Sequence, residues 1–517
     1  VKELARVIEE LAVTAKHSPQ HQLEVVQSIS RRGFLKQVLA TTLWGASIGL
    51  CNHAAHAIGI DGLPDLGDTD RSNLSPTQAA LLGKQVILDI YAQGSMLEDY
   101  DCLDYLNTLG DSLVSYSPLA GMDFSFYLIK EKTINAFALP GGYICVNNGL
   151  IYATLSEAEL SSVMSHEIGH VVQHHIFRNL GVQNRAQWLS LAGILAGALL
   201  APINPGAAIV AAQSGQGIGI QNMLSFSRDY EREADRVGQQ LMYQAGFDAH
   251  AMPTFFGRLQ EAYKFNSNDA LNFLQTHPVT LERLSEAEAR ANQLPVKMRE
   301  DSCDFLLARE KCRIYQLGVK EAIKFYLSAL ASKRYVSLEA QYFGLSLSYY
   351  LTRQFAKSQA ILAKITALNF LNNPMIIGLK ARLLIAKGDM PLANRLYDNA
   401  IADYPNHKGL WMAQLEFLIM QKNYLHADQR LSVLAQQFPE DPDVWDQYAI
   451  LYADVNANNP LRYHYGLGME LLVLGNFAEA MSQFQLALKA KAKTPSDNNL
   501  QDLISAKMAE VGRNLAH

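Results

Sequence analysis

His166-Glu167-Ile168-Gly169-His170 sets two imidazoles four residues apart with a carboxylate between them. On a helix, that spacing puts both rings on one face about one turn apart, close enough to share a tetrahedral metal ion. Glu167 is the next residue round the helix and can reach a water on that ion. The pattern therefore points to metal-assisted hydrolysis with a carboxylate base. A zinc site with two histidines needs a third protein ligand and an open position for water. Further along, Ser227-Arg-Asp-Tyr-Glu231-Arg-Glu-Ala-Asp235 offers Glu231 and Asp235 one helical turn apart. One can bind metal while the other supports a ligand histidine through its second ring nitrogen. Spacing alone does not say which, and the same string also reads as a solvated charged face. The cysteines have no recognisable histidine partner, so hydrolysis by metal is favoured over a thiol mechanism. His174 and His175 are expected in ordinary surface or packing roles.

These residues need a helix under them. Ser156 can cap it, Glu157 and Glu159 suit its first turn, and it should run through His170 to about His175. Before it, Phe124–Ile129, Ile134–Leu139 and Tyr143–Val146 read as short strands, with Pro140-Gly141-Gly142 as a turn. They predict a small antiparallel sheet, whose edge near Asn135 to Gly141 could pair with an extended substrate strand. Between Arg185 and Arg228 no residue carries a formal charge. Its most apolar part, Trp188 to Ala201, is stopped by Pro202, Asn204 and Pro205 before the roughly 20 residues of a membrane span. A buried or lid-forming hairpin is favoured there, with a surface touching membrane or client and a true insertion as alternatives.

The C-terminal part repeats with a period of 34. Gly388, Ala393, Ala400 and Pro405 are matched by Lys422, Ala427, Leu434 and Pro439. The spacing returns at Gly475, Ala480 and Ala487, and more loosely at Arg353, Ser358 and Ile365. Small residues at the Ala393 position let two helices approach, and the proline ends the second helix of each pair. This resembles a tetratricopeptide array of helical hairpins. Trp411, Trp445 and Tyr448 could serve recognition, but aromatics at helical spacing are more often core.

With 49% hydrophobic and 18% charged residues, the chain is no disordered polymer. A formal charge of −6 leaves no basic excess for general nucleic-acid binding. Ser30-Arg31-Arg32-Gly33-Phe34-Leu35-Lys36, an uncharged stretch to Leu50 and Ala55-His56-Ala57 form a twin-arginine export pattern with a cleavage site. The residues ahead of Ser30 are long for such a leader, as a start placed too far upstream would make them. Cys102, Cys145, Cys303 and Cys312 in the mature chain are too few for a disulfide scaffold. Cys303 and Cys312 are close enough in sequence to pair in an oxidising compartment.

His166-Glu-Ile-Gly-His170 together with Ser-Arg-x-x-Glu-x-Glu-Ala-Asp235 resembles the M48 peptidase family, the group of Ste24-like and HtpX-like zinc proteases. Asn135-Ala-Phe-Ala-Leu-Pro-Gly-Gly-Tyr143 and Val146-Asn-Asn-Gly-Leu150 resemble the strand and turn ahead of the metal helix in that family. The resemblance implies one zinc ion per subunit on His166, His170 and Glu231. Glu167 would be the catalytic glutamate and Asp235 the carboxylate that orients a ligand histidine. Thr276-His277-Pro278, followed by Arg283, resembles a loop whose histidine can approach zinc and hold a resting state; His277 is also a candidate helper at the oxyanion. The uncharged stretch matches the family's variable insert, where membrane-bound relatives place spans, so peripheral membrane association stays open.

The expected fold is mainly α: a zincin-like metalloprotease domain with a small antiparallel sheet, then a tetratricopeptide α-solenoid. The expected boundaries are an N-terminal extension and leader at 1–57, an extended connecting segment at 58–75, the protease at 76–311, the array at 312–490 and a helical tail at 491–517. The resemblance implies a periplasmic zinc metalloendopeptidase of the cell envelope. Its partners would be unfolded or misassembled outer-membrane proteins and the barrel assembly machinery, with no nucleic acid. The alternatives are a tetratricopeptide chaperone or adaptor with latent protease activity, and an integral-membrane protease of the HtpX type.

Overall fold

The computed structural model describes residues 76–175, 227–264, 273–453 and 459–515. The expected leader and connecting segment, and all but the last residue of the uncharged stretch 186–227, lie outside the described residues. The opening helices are α1 (Pro76–Ala92) and α2 (Tyr100–Val114). The Asp99 carboxylate caps α2 by accepting from the Cys102 N–H at 3.1 Å. Three strands follow: β1 (Ser125–Ile129), β2 (Ala136–Leu139) and β3 (Tyr143–Asn147).

The strands fall where alternation and turn residues place them, but the sheet is mixed. Its order is β1-β3-β2, with β3 antiparallel to β2 and parallel to β1. The β2–β3 hairpin follows from Gly141 and Gly142, whose φ values of 87° and 85° suit glycine. A Cβ at Gly141 would also lie 2.5 Å from the Ala80 Cα. The segment after β1 delivers β2 to the far side of β3, so β1 and β2 never pair. This leaves β2 at one edge of the sheet.

α3 (Asn148–Ala153) leads to α4 (Glu157–Val172), which carries the metal motif. Ser156 caps α4 as expected, accepting from the Glu159 N–H at 3.3 Å. α5 (Arg228–Gln244), α6 (Ala251–Lys264) and α7 (Leu281–Ala291) complete the surroundings of the site. The core joins apolar side chains of α2, the sheet, α4, α5 and α6, among them Leu106, Phe126, Val146, Met164, Ile168, Met242 and Phe255.

α8 (Cys303–Leu317) spans the expected junction with the array and packs on α2 and α3. Cys303 and Cys312 both lie on it, about 13 Å apart along the axis at 1.5 Å per residue. A disulfide allows about 7 Å between Cα atoms, so this pair cannot form within the intact helix. The four described cysteines are free thiols.

The chain divides into two compact units, one comprising residues 71–91 and 95–414 and the other including Leu415–His517. Within the first, Val319–Ser332 packs on Leu338–Leu351, that helix on Phe355–Leu362, and Pro374–Lys387 on Met390–Asp403. Within the second, Tyr424–Gln437, Pro442–Ala453, Pro460–Val473, Phe477–Lys489 and Pro495–Leu515 each pack on the next. The repeat positions have one local structure throughout. Arg353, Gly388, Lys422 and Gly475 are left-handed, with φ of 59°, 87°, 59° and 73°. Ser358, Ala393, Ala427 and Ala480 are fully buried. Trp411 and Trp445, 34 residues apart, donate to the carbonyls of Pro405 and Pro439 at 2.7 and 2.8 Å. With Tyr448 they are buried, which makes them core. Among the described residues no helix is long and apolar enough to cross a membrane.

Lys311 on α8 donates to Asp99 and Asp101 at the start of α2, both at 2.6 Å. Burial opposes charge on Asp101, but Lys311 and Arg382 hold its carboxyl well below the usual range. Stability from this pair is therefore present above about pH 4 and lost as pH falls through the depressed folded value. Lys311→Met strands two carboxylates and should cost about 3–5 kcal/mol at pH 7, read as a lower urea midpoint by circular dichroism.

Candidate metal centre

α4 and α5 cross almost backbone to backbone. A Cβ at Gly169 would stand 2.9 Å from the Ala234 carbonyl oxygen, and one at Gly238 would stand 2.8 Å from the His166 N. Glycine at both positions lets the α5 carboxylates reach the α4 imidazoles. The Ser227 hydroxyl caps α5 by accepting from the Tyr230 N–H at 3.3 Å, with Glu231 in the first turn.

His166 Nε2 lies 3.0 Å from His170 Nε2, 3.3 Å from His277 Nδ1 and 3.4 Å from Glu231 Oε2. Glu231 Oε1 is 3.4 Å from His170 Nε2 and 3.0 Å from His277 Nδ1. One donor atom from each of these four buried residues lies within 4.8 Å of the others. A tetrahedron with bonds of about 2.0–2.1 Å has edges of about 3.3 Å, so the spacings suit zinc.

The polar surroundings fit the same ion. His166 Nδ1 is 2.9 Å from Asp235 Oδ1, and His170 Nδ1 is 3.0 Å from His175 Nδ1. With each Nδ1 engaged behind the ring, both Nε2 lone pairs turn to the same point, which calls for a cation. Arg283 reaches Asp235 through Nε at 2.7 Å and Nη2 at 2.8 Å, and Glu231 through Nη1 at 2.6 Å. Glu167, Glu231 and Asp235 are buried carboxylates, and Arg283 is the buried guanidinium among them. Their residual of two negative charges matches a divalent cation.

Burial opposes charge on Glu231, but His277 and Arg283 hold its carboxyl well below the usual range. Asp235 is likewise lowered against burial, chiefly by Arg283. Burial pushes His170 well below the usual imidazole value, which suits a neutral ligand. Burial also opposes charge on His166, but hydrogen bonds to Asp235 and Glu231 raise it to about 10. Glu167 is fully buried, and burial raises its carboxyl above the usual range. His277 Nε2 is 3.5 Å from its Oε1.

The six site residues expected from the sequence thus lie at one site: His166, Glu167 and His170 from α4, Glu231 and Asp235 from α5, and His277 from the turn before α7. His174 is exposed, as expected. His175 is fully buried, with its Nδ1 against His170. Arg283 was visible only as a neighbour of the His277 loop; nothing in its spacing marks it as the counter-ion of two carboxylates 48 and 52 residues earlier.

Residues 104–291 match the family model for peptidase family M48. Over 280 residues the chain is 35% identical to the beta-barrel assembly-enhancing protease of Escherichia coli strain K12, covering 54% of this chain and 57% of that protein. The chain thus spans less than two thirds of that relative. The protein of the same name from Yersinia pestis is 28% identical over 403 residues, with 78% and 82% covered. The mitochondrial metalloendopeptidase OMA1 of Schizosaccharomyces pombe is 28% identical over 207 residues, with 38% and 56% covered.

Gly238→Ala should force the two helices apart at a contact with backbone, at a cost of about 1–3 kcal/mol. It should also weaken zinc binding, measured by competition with a chelator.

Proposed function

Because residues 104–291 are an M48-family peptidase domain, we propose that this chain is a periplasmic zinc endopeptidase that cleaves misfolded or stalled outer-membrane proteins and assists their assembly. The convergence of four buried donor atoms beside Glu167 carries the reading. The twin-arginine leader pattern supports export, and the relatives named for beta-barrel assembly support the client class. His166, His170 and Glu231 would hold the ion, which supplies Lewis acidity and an activated water. Asp235 fixes the His166 tautomer, and Arg283 keeps Asp235 and Glu231 ionised. Glu167 takes a proton from the attacking water and returns it to the leaving amine nitrogen. The edge strand β2 packs against α4 and offers an extended substrate backbone pairing that ignores side-chain identity. Such pairing suits unfolded clients. The helical repeats would recruit clients or the barrel assembly machinery.

One observation favours a latent enzyme. His277 Nδ1 occupies the fourth corner of the donor set, where water must bind. Its loop is tied down by Arg283 donating to the Pro278 carbonyl at 2.8 Å and Gln260 donating to the Val279 carbonyl at 2.9 Å. In this reading, activation moves the loop and frees the corner.

Purified protein should contain one zinc per chain, and His166→Ala and Glu231→Ala should lose it. Unchanged zinc in Glu231→Ala would reassign the third ligand. Glu167→Gln should keep its zinc while cleavage of an unfolded outer-membrane protein falls at least about 10²–10⁴-fold. Undiminished cleavage in that variant would end the mechanism.

His277→Ala should raise basal cleavage if the ring plugs the site. A drop would instead make it the oxyanion helper.

A further inference from the structure

We infer that His175 and Glu233 are positioning residues for the metal ligand His170, linked as a carboxylate–imidazole–imidazole relay. The inference rests on the zinc site proposed above. His170 Nδ1 faces His175 Nδ1 at 3.0 Å, and His175 Nε2 faces Glu233 Oε2 at 3.1 Å. The proton arrangement follows from chemistry. A ligand imidazole that turns the Nε2 lone pair to an ion carries its proton on Nδ1 and must donate it. His175 accepts that bond at Nδ1, so its own proton sits on Nε2 and goes to the Glu233 carboxylate. Glu233 thus sets the tautomer of His175, and His175 sets that of His170.

The local fold explains why two residues are needed here where His166 needs one. Asp235 lies one helical turn from Glu231 on the same face of α5 and reaches His166 directly. Glu233 lies two residues from Glu231, about 200° round the helix, and its side chain is 30% exposed. A second imidazole spans the remaining distance. The chain supplies it just past the end of α4, where His174 takes a left-handed φ of 53° and His175 lands on His170. The Tyr230 ring stacks on His175 at 4.6 Å and 11°, which fixes the plane of the relay. The rings of His170 and His175 meet edge to face at 5.0 Å. The three carboxylates Glu231, Glu233 and Asp235 therefore serve one site in three ways: as ligand, as remote orienter and as direct orienter.

The test measures the zinc dissociation constant by chelator competition, with the visible spectrum of the cobalt-substituted protein as a second readout. His175→Leu removes the acceptor and should weaken zinc about 10–100-fold and alter the cobalt bands. His175→Asn keeps an acceptor oxygen near the place of Nδ1 and should restore zinc affinity to within about threefold of wild type. Glu233→Leu, at a partly exposed position that threatens folding little, should weaken zinc in the same direction as His175→Leu but less. The double variant should be no weaker than His175→Leu alone, because the relay is already broken. Wild-type zinc affinity in His175→Leu, or an Asn variant as weak as the Leu variant, would overturn the relay, as would strictly additive losses. Wild-type protein that binds no zinc would instead overturn the underlying zinc reading, so the two failures are distinguishable.

Discussion

The near contact of two helix backbones is the constraint on which the site depends. Gly169 stands inside the metal motif and Gly238 three residues beyond Asp235, and each leaves no room for a Cβ against the opposite helix. Short carboxylate side chains on α5 can reach the rings of α4 only at that separation. The crossing also dictates which residues matter. Glu231 and Asp235 fall on the inward face and are buried, while Glu233 falls on the flank and lies 3.1 Å from the His175 ring.

Such a site carries a heavy electrostatic load, since each buried carboxylate costs free energy unless it is paired. Arg283 meets part of that load by binding two carboxylates with one planar guanidinium, and its position over the Phe256 ring, 5.1 Å from the centroid, keeps water from it. The remainder matches a divalent ion. Metal binding, folding of the α4–α5 pair and the ionisation of Glu231 and Asp235 are therefore linked. His277 completes the set of four donor atoms from a loop held by the same Arg283 through the Pro278 carbonyl, so one guanidinium both pairs with Glu231 and Asp235 and ties down the loop that carries the fourth donor.

The helical repeats depend on a different regularity. Each sharp turn between paired helices places one residue in the left-handed region, and Arg353 and Lys422 tolerate it where Gly388 and Gly475 adopt it freely. A fully buried small residue five positions later then brings the helices together. These local rules recur at intervals of 34 or 35 residues from Arg353 to Lys422 and again at Gly475, and need no information from elsewhere in the chain.

That contrast separates what was legible in sequence from what was not. The metal helix, its Ser156 cap, the three strands, the repeat turns and the buried alanines all follow from interactions between residues close in the chain, which spacing records directly. Glu167, His166 and His170 are legible for the same reason. The mixed sheet was not, because the pairing of β1 with β3 is decided by how β2 is carried past them. Neither was the impossibility of a Cys303–Cys312 bridge until one continuous helix held both thiols. Arg283, His175 and Glu233 acquire their roles only from the crossing of α4 and α5 and the turn that brings α7 back to them. Residue types and spacing determined the chemistry available to this protein. Tertiary structure decided which groups surround it, because burial and hydrogen-bond geometry between distant segments exist only once the helices are packed.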